Sequence, residues 1–424
     1  MSPDLQAVGH ARDLMKILCK RAMLFQAWRK VRENGLHSLS DETRQEISQF
    51  DAIAASQLDR IQYHLSHHRF EFRPQKGIPK RRPGKQARPL VIAAIENRVV
   101  QRAILDVLQD LPQIRDVLAI KTSIGGIKDR GREHAMALIR GATDAGASYF
   151  IRSDIEGFFT QIPRALVLDF IAHFVNDQEF MELLGRATDT NLANLHQLGD
   201  DALLFPIDDL GVAQGSPLSP LIGNILLRGF DREMNGRGVS CIRYIDDFLL
   251  LGPNERGLQK AFAHAQQLLS GFGLHAYEPG ADAKAEAGRV QDGFDFLGCA
   301  ISPGLIQPAR PARQKILAQI DAILAEGRRS IAASRTAEPS SIPKQRYAQT
   351  LGRIDRVVRG WGHAYAFCDG RQSFDSIDKR VDARISPFLR QVELLLARVP
   401  PAIARRVLGV HLLADTPIVP LPIG

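Results

Sequence analysis

The chain alternates short apolar runs with longer stretches in which apolar residues recur at helical spacing. Two runs, Cys241-Ile242-Arg243-Tyr244 and Phe248-Leu249-Leu250-Leu251, are short, β-prone and closed by Gly252-Pro253, which predicts a two-stranded hairpin. A third run, Tyr149-Phe150-Ile151-Arg152-Ser153-Asp154, predicts a strand that ends on a carboxylate. The pattern over residues 1–35 predicts an amphipathic helix, and a second helix should begin near Ser40 with Asp41 and Glu42 in its first turn. Residues 163–206 read as helices with an inserted loop. The tight Gly211-Val212-Ala213-Gln214-Gly215-Ser216-Pro217 loop runs into the apolar helix Leu218 to Leu227, with proline tolerated in its first turn. From Pro308 the pattern is helical, broken by the polar linker Ser334-Arg335-Thr336-Ala337-Glu338-Pro339-Ser340-Ser341. There is no internal repeat and no long low-complexity segment.

Charge adds a partner class to this picture. A net charge of +8 and a pI near 9.4 suit a polyanion, whose binding weakens steeply with salt. Residues 71–88 concentrate Arg73, Lys76, Lys80, Arg81, Arg82, Lys85 and Arg88 against the single acid Glu71, with Pro74, Pro79 and Pro83 interrupting. Alone, such a run is a solvated face. At 424 residues the chain can hold two or three subdomains and bury a substantial core. Arg12, Lys16, Lys20, Arg21, Arg29 and Lys30 break up the apolar positions of residues 1–35, so that region is neither a signal peptide nor a membrane span, and no membrane partner is expected. Cys19, Cys241, Cys299 and Cys368 are far apart and form neither a disulfide framework nor a zinc module, so a reducing cytoplasm is the expected compartment.

The candidate chemistry centres on Asp246 and Asp247, adjacent carboxylates where the two predicted strands meet. Two acids in an apolar setting repel and are costly to desolvate, so they need a compensating cation, and magnesium suits them. An acid pair alone is weak evidence: Asp208-Asp209 follows Pro206 and leads into Gly211, which reads as a polar turn. Asp154, at the end of its own strand, supplies a third carboxylate.

In this order the pieces resemble the palm of a reverse transcriptase of the bacterial group II intron type. Asp154 with Phe159 matches the first palm motif, Gln214-Gly215-Ser216-Pro217-Leu218-Ser219-Pro220 the second, and Tyr244-Ile245-Asp246-Asp247 the Tyr-X-Asp-Asp signature. Gly293-Phe294-Asp295-Phe296-Leu297-Gly298 resembles the primer-grip hairpin, while Ile78-Pro79-Lys80 to Ile92 and Glu96 to Ile104 resemble the fingers motifs. The resemblance implies an α+β right-hand polymerase fold: a helical extension (1–60), fingers (61–147), an antiparallel-sheet palm (148–304) and a helical thumb with a C-terminal tail (305–424). It implies RNA-templated DNA synthesis from dNTPs, with Asp154, Asp246 and Asp247 catalytic and these three plus Ile155 holding two Mg2+ ions, for which Mn2+ can substitute. Lys80, Arg88, Phe159, Gln214, Gly215 and Lys284 fall in the nucleotide-binding set. Phe159 stands where RNA-making enzymes carry a ribose-reading Asp, and an aromatic wall there favours deoxynucleotides, whereas Phe158 reads as core. Lys284 aligns loosely with a lysine that protonates the leaving pyrophosphate. Tyr244, Phe296, Leu297, Gly298, Arg353, Arg356 and Arg359 fall in the nucleic-acid-binding set, the three arginines at three-residue helical spacing, and Arg102 and Lys128 are further template candidates. Trp361 and Tyr365 read as core anchors. The expected setting is a dedicated structured noncoding RNA in bacterial antiphage defence. Two alternatives stay open: an intron-type enzyme that binds intron RNA and assists splicing, and template-independent or protein-primed synthesis.

Overall fold

A computed structural model describes residues 11, 13–38, 40–82, 85–206, 209–236, 238–281, 284–336 and 341–416. The chain divides into two compact units, residues 1–288 and 289–424.

In the first unit the N-terminal region is part of the core. Of the residues 1–35 expected as one helix, 1–10 and 12 lie outside the described residues, and the rest form two helices, Leu14–Leu18 and Arg21–Leu36, interrupted at Cys19 and Lys20. Ser40 caps the next helix, Asp41–Ala52, its hydroxyl accepting from the Thr43 amide at 3.2 Å. Leu14, Leu18, Leu24, Trp28 and Ile47 are buried in the same cluster as Val99, Val100, Ala103 and Ile104 of the Ile95–Gln109 helix, so the extension packs rather than projects. Residues 76–92 form an antiparallel hairpin, β1 (Lys76–Arg82) with β2 (Lys85–Ile92), in which Lys80 lies opposite Arg88.

The central sheet comprises β3 (Tyr149–Asp154), β4 (Ser240–Tyr244), β5 (Asp247–Gly252) and β6 (Glu286–Arg289), in the order β4-β5-β3-β6. Both β3 and β4 run antiparallel to β5. Phe150, Ile151, Phe248, Leu249, Leu250 and Leu251 are all buried, because helices such as Glu255–Ser270 cover the sheet; this is why β5 reads as an unbroken apolar run. The expected loop within 163–206 is present as short 3-10 turns at Leu195–Gln197 and Gly199–Leu204, after helices Arg164–Ala172 and Gln178–Thr188.

The second unit holds β7 (Phe294–Phe296), β8 (Cys299–Ser302) and β9 (Leu305–Pro308) in one antiparallel sheet, followed by helices Arg310–Ser334, Tyr347–Ala364, Arg371–Leu396 and Pro401–Leu408. Ile316, Ile320, Ile323, Ile354, Ile377, Val381 and Phe388 form the core of these helices. Part of the linker expected over 334–341, residues 337–340, lies outside the described residues. All four cysteines are free thiols, and among the described residues no helix is long and apolar enough to cross a membrane.

Candidate active site

The β4–β5 hairpin closes through a two-residue turn, because Tyr244 pairs directly with Asp247 and leaves only Ile245 and Asp246 at the tip. Such turns need positive φ at the first central position, usually supplied by glycine. Here Ile245 adopts φ +63°. Asp154 at the end of β3 pairs with Asp247, and the Ile155 amide donates to the Asp246 carbonyl at 3.1 Å. Two strands and the turn between β4 and β5 thus bring three carboxylates to one end of the sheet. The segment around residue 276 runs beside Asp154, with the Glu156 amide donating to the His275 carbonyl at 2.8 Å and the Tyr277 amide to the Asp154 carbonyl at 3.1 Å.

The electrostatics are those of a half-buried acidic cluster. Burial, then repulsion from Asp246 and Asp247, pushes the Asp154 carboxyl up to about 7. Burial and Asp246 push Asp247 up to about 6, and burial raises Asp246 against the backbone amides that bond to its carboxylate. Lys284 and Arg88 pull all three back down, and Arg152 also opposes the rise at Asp247. These two cations come from segments about 200 residues apart, and both are exposed. Lys284 Nζ donates to the Tyr277 hydroxyl at 2.7 Å and lies 4.2 Å from the centre of that ring.

The glycine-rich loop fixes the hairpin of residues 76–92 beside this centre. The Val91 amide donates to the Gln214 carbonyl at 2.9 Å, and a Cβ on Gly215 (φ +130°) would sit 2.6 Å from the Val91 carbonyl oxygen. Only glycine permits that approach. On the opposite edge Asn194 makes two bonds to Gly77, accepting from its amide at 2.8 Å and donating to its carbonyl at 2.9 Å. Arg81 is paired with Asp201 at 2.7 Å. Lys80 and Arg88, opposite each other in the register, project from one face of the hairpin.

The remaining residues fall as follows. Phe158 is buried against Gly223, as expected of a core aromatic, while Phe159 is half-buried and its carbonyl accepts from the Val212 amide at 2.7 Å. Tyr244 is half-buried. The Ile155 side chain is buried, so only its carbonyl oxygen could serve as a metal ligand. Of the acids read as a polar turn, Asp208 lies outside the described residues, and Asp209 is exposed. Arg102 is held by Asp106 at 2.7 Å, whereas Lys128 is exposed. In the second unit the Phe296 ring is buried, leaving Leu297 (φ +49°) and Gly298 (φ +79°) at the tip of the β7–β8 turn. Arg353, Arg356 and Arg359 are exposed on the Tyr347–Ala364 helix, with Arg353 paired to Glu326 at 2.7 Å and Arg359 to Asp355 at 2.9 Å. Tyr365 is buried against Trp361, ring centres 4.8 Å apart.

Arg243 is the residue that sequence reasoning passed over. Its guanidinium is fully buried and donates to both Asp231 oxygens at 2.7 and 2.6 Å, to Ser123 Oγ at 2.8 Å, to Asn224 Oδ1 at 3.1 Å and to the Ile245 carbonyl at 2.7 Å. A charged residue in an otherwise apolar strand is the signal that marked it, since a buried guanidinium requires a buried acid nearby.

Among the described residues, no group of three or more acidic, histidine or cysteine side chains is arranged so that together they could hold a metal ion. The donor chemistry nonetheless fits a divalent cation. All three carboxylates are hard oxygen ligands, and a cation would relieve both their repulsion and their desolvation.

Comparison with known proteins agrees with this arrangement. Residues 78–301 match the family described as reverse transcriptase (RNA-dependent DNA polymerase). The chain is 26% identical over 224 residues to an uncharacterized 91 kDa protein in the cob intron of Schizosaccharomyces pombe, covering 52% of this chain and 26% of that protein. It is 29% identical over 167 residues to protein YkfC of Escherichia coli, covering 38% of this chain and 41% of that protein. The matched segments therefore span less than half the length of these curated relatives. A solved partial Cas6-RT-Cas1–Cas2 complex aligns at 20% identity and a TM-score of 0.34, covering 62% of this chain and 43% of that chain. The family match takes in the hairpin of residues 76–92 from Ile78 onward, all three sheet-end carboxylates and the Gln214-Gly215 loop, and on that span, just over half of its length, the chain belongs to the reverse transcriptase (RNA-dependent DNA polymerase) family.

Proposed function

We propose that this protein copies RNA into DNA, joining deoxynucleotides to a primer 3′-hydroxyl at the Asp154, Asp246 and Asp247 centre. The observation that carries the reading is the convergence of three half-buried carboxylates, from the end of β3 and the β4–β5 hairpin tip, with the fields of Arg88 and Lys284. Asp154, Asp246, Asp247 and the Ile155 carbonyl would hold two Mg2+ ions, or Mn2+ in their place, and such ions supply charge neutralisation at the attacking and departing oxygens. The chain's own groups supply the rest. Arg88 and Lys80, on one face of the hairpin, grip the triphosphate by charge-assisted hydrogen bonds. Gln214 and Gly215 present backbone close to the incoming nucleotide. Lys284, held by Tyr277, delivers a proton to the leaving pyrophosphate. Tyr244 and the Leu297-Gly298 turn contact the primer strand, in a reading of residues 61–147 as fingers, 148–304 as palm and 305–424 as thumb.

For the template we infer a dedicated structured noncoding RNA, in an antiphage setting in the bacterial cytoplasm. The intron origin named for the S. pombe relative favours a second reading, in which the RNA is an intron and the protein also assists splicing. Sequencing the RNA and DNA that copurify separates them: one abundant structured RNA with complementary DNA supports the first, and intron RNA alone the second. The chemical reading is tested by Asp246→Ala combined with Asp247→Ala, which should abolish primer extension on RNA while leaving RNA affinity near wild type. Near-normal extension by that variant removes these acids from the chemistry.

A further inference from the structure

We infer that Arg243, locked by Asp231, is a positioning residue that sets the geometry of the Ile245–Asp246 turn and so of the Asp246–Asp247 pair; the inference rests on the polymerase reading above. Ile245 is β-branched and sits at φ +63°, a conformation that L side chains with branched Cβ atoms avoid and that persists only where the surroundings over-determine it. Two sets of contacts do so. From below, Arg243 Nη1 donates to the Ile245 carbonyl at 2.7 Å, fixing the peptide that carries Asp246. From the side, residues 122–126 run along the edge of β4: the Arg243 amide donates to the Thr122 carbonyl at 2.8 Å and the Ile124 amide to the Arg243 carbonyl at 2.9 Å. A Cβ on Gly125 would lie 2.6 Å from the Ile245 nitrogen, so the backbone there presses directly on the turn.

The guanidinium is itself over-determined. Arg243 is 0%, Asp231 2%, Asn224 2% and Ser123 2% exposed. Asn224 joins the parts, accepting from Arg243 and Ser123 while its amide donates to the Gly125 carbonyl at 3.0 Å. One buried network therefore ties the helix after the Gln214-Gly215 loop, the 122–126 segment and the acid-bearing hairpin. A buried ion pair is a poor source of net stability, and apolar residues of similar volume often replace it without loss. The fork geometry of arginine does what they cannot: it satisfies a carboxylate and a strained carbonyl together.

The test uses the full chain and measures Tm, primer extension and the Tm shift produced by MnCl2. Arg243→Met with Asp231→Leu should fold with Tm at or above wild type, yet lose about 10- to 100-fold in kcat with dNTP KM little changed, the signature of a misplaced reacting group. Arg243→Lys keeps the charge opposite Asp231 without the fork and should fall between. The Mn2+-induced Tm shift should shrink in both. A folded apolar pair with wild-type kcat and wild-type Mn2+ response makes the network purely structural and overturns the inference; if that pair does not fold, the lysine variant decides on the same readouts. A wild-type protein that extends no primer fails the polymerase reading instead, and the Mn2+ response then tests the positioning by itself.

Discussion

At the scale of single residues, the acids proposed for catalysis oppose folding when ionised. A carboxyl whose pKa is higher folded than unfolded binds its proton more readily in the native state, so its stabilising contribution is complete below the unfolded value of about 3.9 and is lost as pH rises through the folded value. For Asp154 that window runs from about 4 to about 7. Without divalent metal at pH 8, Asp154→Asn should therefore raise Tm by about 2–4 °C while ending primer extension. Adding Mg2+ should raise the wild-type Tm and move that of the variant less; a variant less stable than wild type, or one with an equal Mg2+ response, separates Asp154 from any metal site. Phe159 makes a different single-residue claim. It is half-buried directly after the turn that follows β3, with its neighbour Phe158 taking the core position. Phe159→Val should relax discrimination against ribonucleotides in matched dNTP and rNTP incorporation assays, and equal use of both sugars by wild type removes the gate.

At the scale of elements, the hairpin of residues 76–92 is fixed along both edges, by Asn194 on β1 and by Gln214 on β2, which keeps Arg88 within electrostatic reach of the acids. Arg88→Ala should raise the dNTP KM by about 10-fold, the worth of a hydrogen bond to a charged group, with duplex affinity little changed. Asn194→Ala acts on the anchor rather than the grip, so it should move KM in the same direction by less and leave the Mg2+ response of Tm intact. An unchanged KM in both variants places the triphosphate elsewhere. The same element shows what a sequence can and cannot reveal. The strands that end on Asp154 and that flank Asp246 and Asp247 were legible because their signals are local: period, a run of buried aliphatics and a Gly-Pro stop. The clamp of residues 190–206 on β1 was not, since it depends on one asparagine meeting one glycine 117 residues away. Arg243 lay between; its apolar neighbours announced burial, but its partners Asp231, Asn224 and Ser123 emerge only when helix, loop and strand pack. Of the N-terminal helix expected over residues 1–35, the described part is broken at Cys19 and Lys20, and Leu14, Leu18 and Leu24 all reach the core.

At the scale of the whole molecule, the question is how much of a nucleic acid the protein holds and with which charges. A net charge of +8 attracts any polyanion, and exposed arginines on a helix are easily mistaken for a binding track. Arg353, Arg356 and Arg359 line one helix, but Arg353 and Arg359 already face Glu326 and Asp355. Exposed pairs of this kind are worth about 0–1 kcal/mol, so a phosphate can displace the carboxylates at little expense. If the helix lies against a duplex, replacing all three arginines by glutamine should weaken binding and reduce the slope of log K against log salt by up to about one per arginine. Primer extension at saturating duplex should be unaffected if the stripe contributes affinity alone, since excess duplex then masks the loss. A triple variant with the wild-type salt slope makes the stripe an ordinary ion-paired surface. The nucleic-acid track would then lie on other basic residues, of which Lys76 on β1 and Lys128 are exposed.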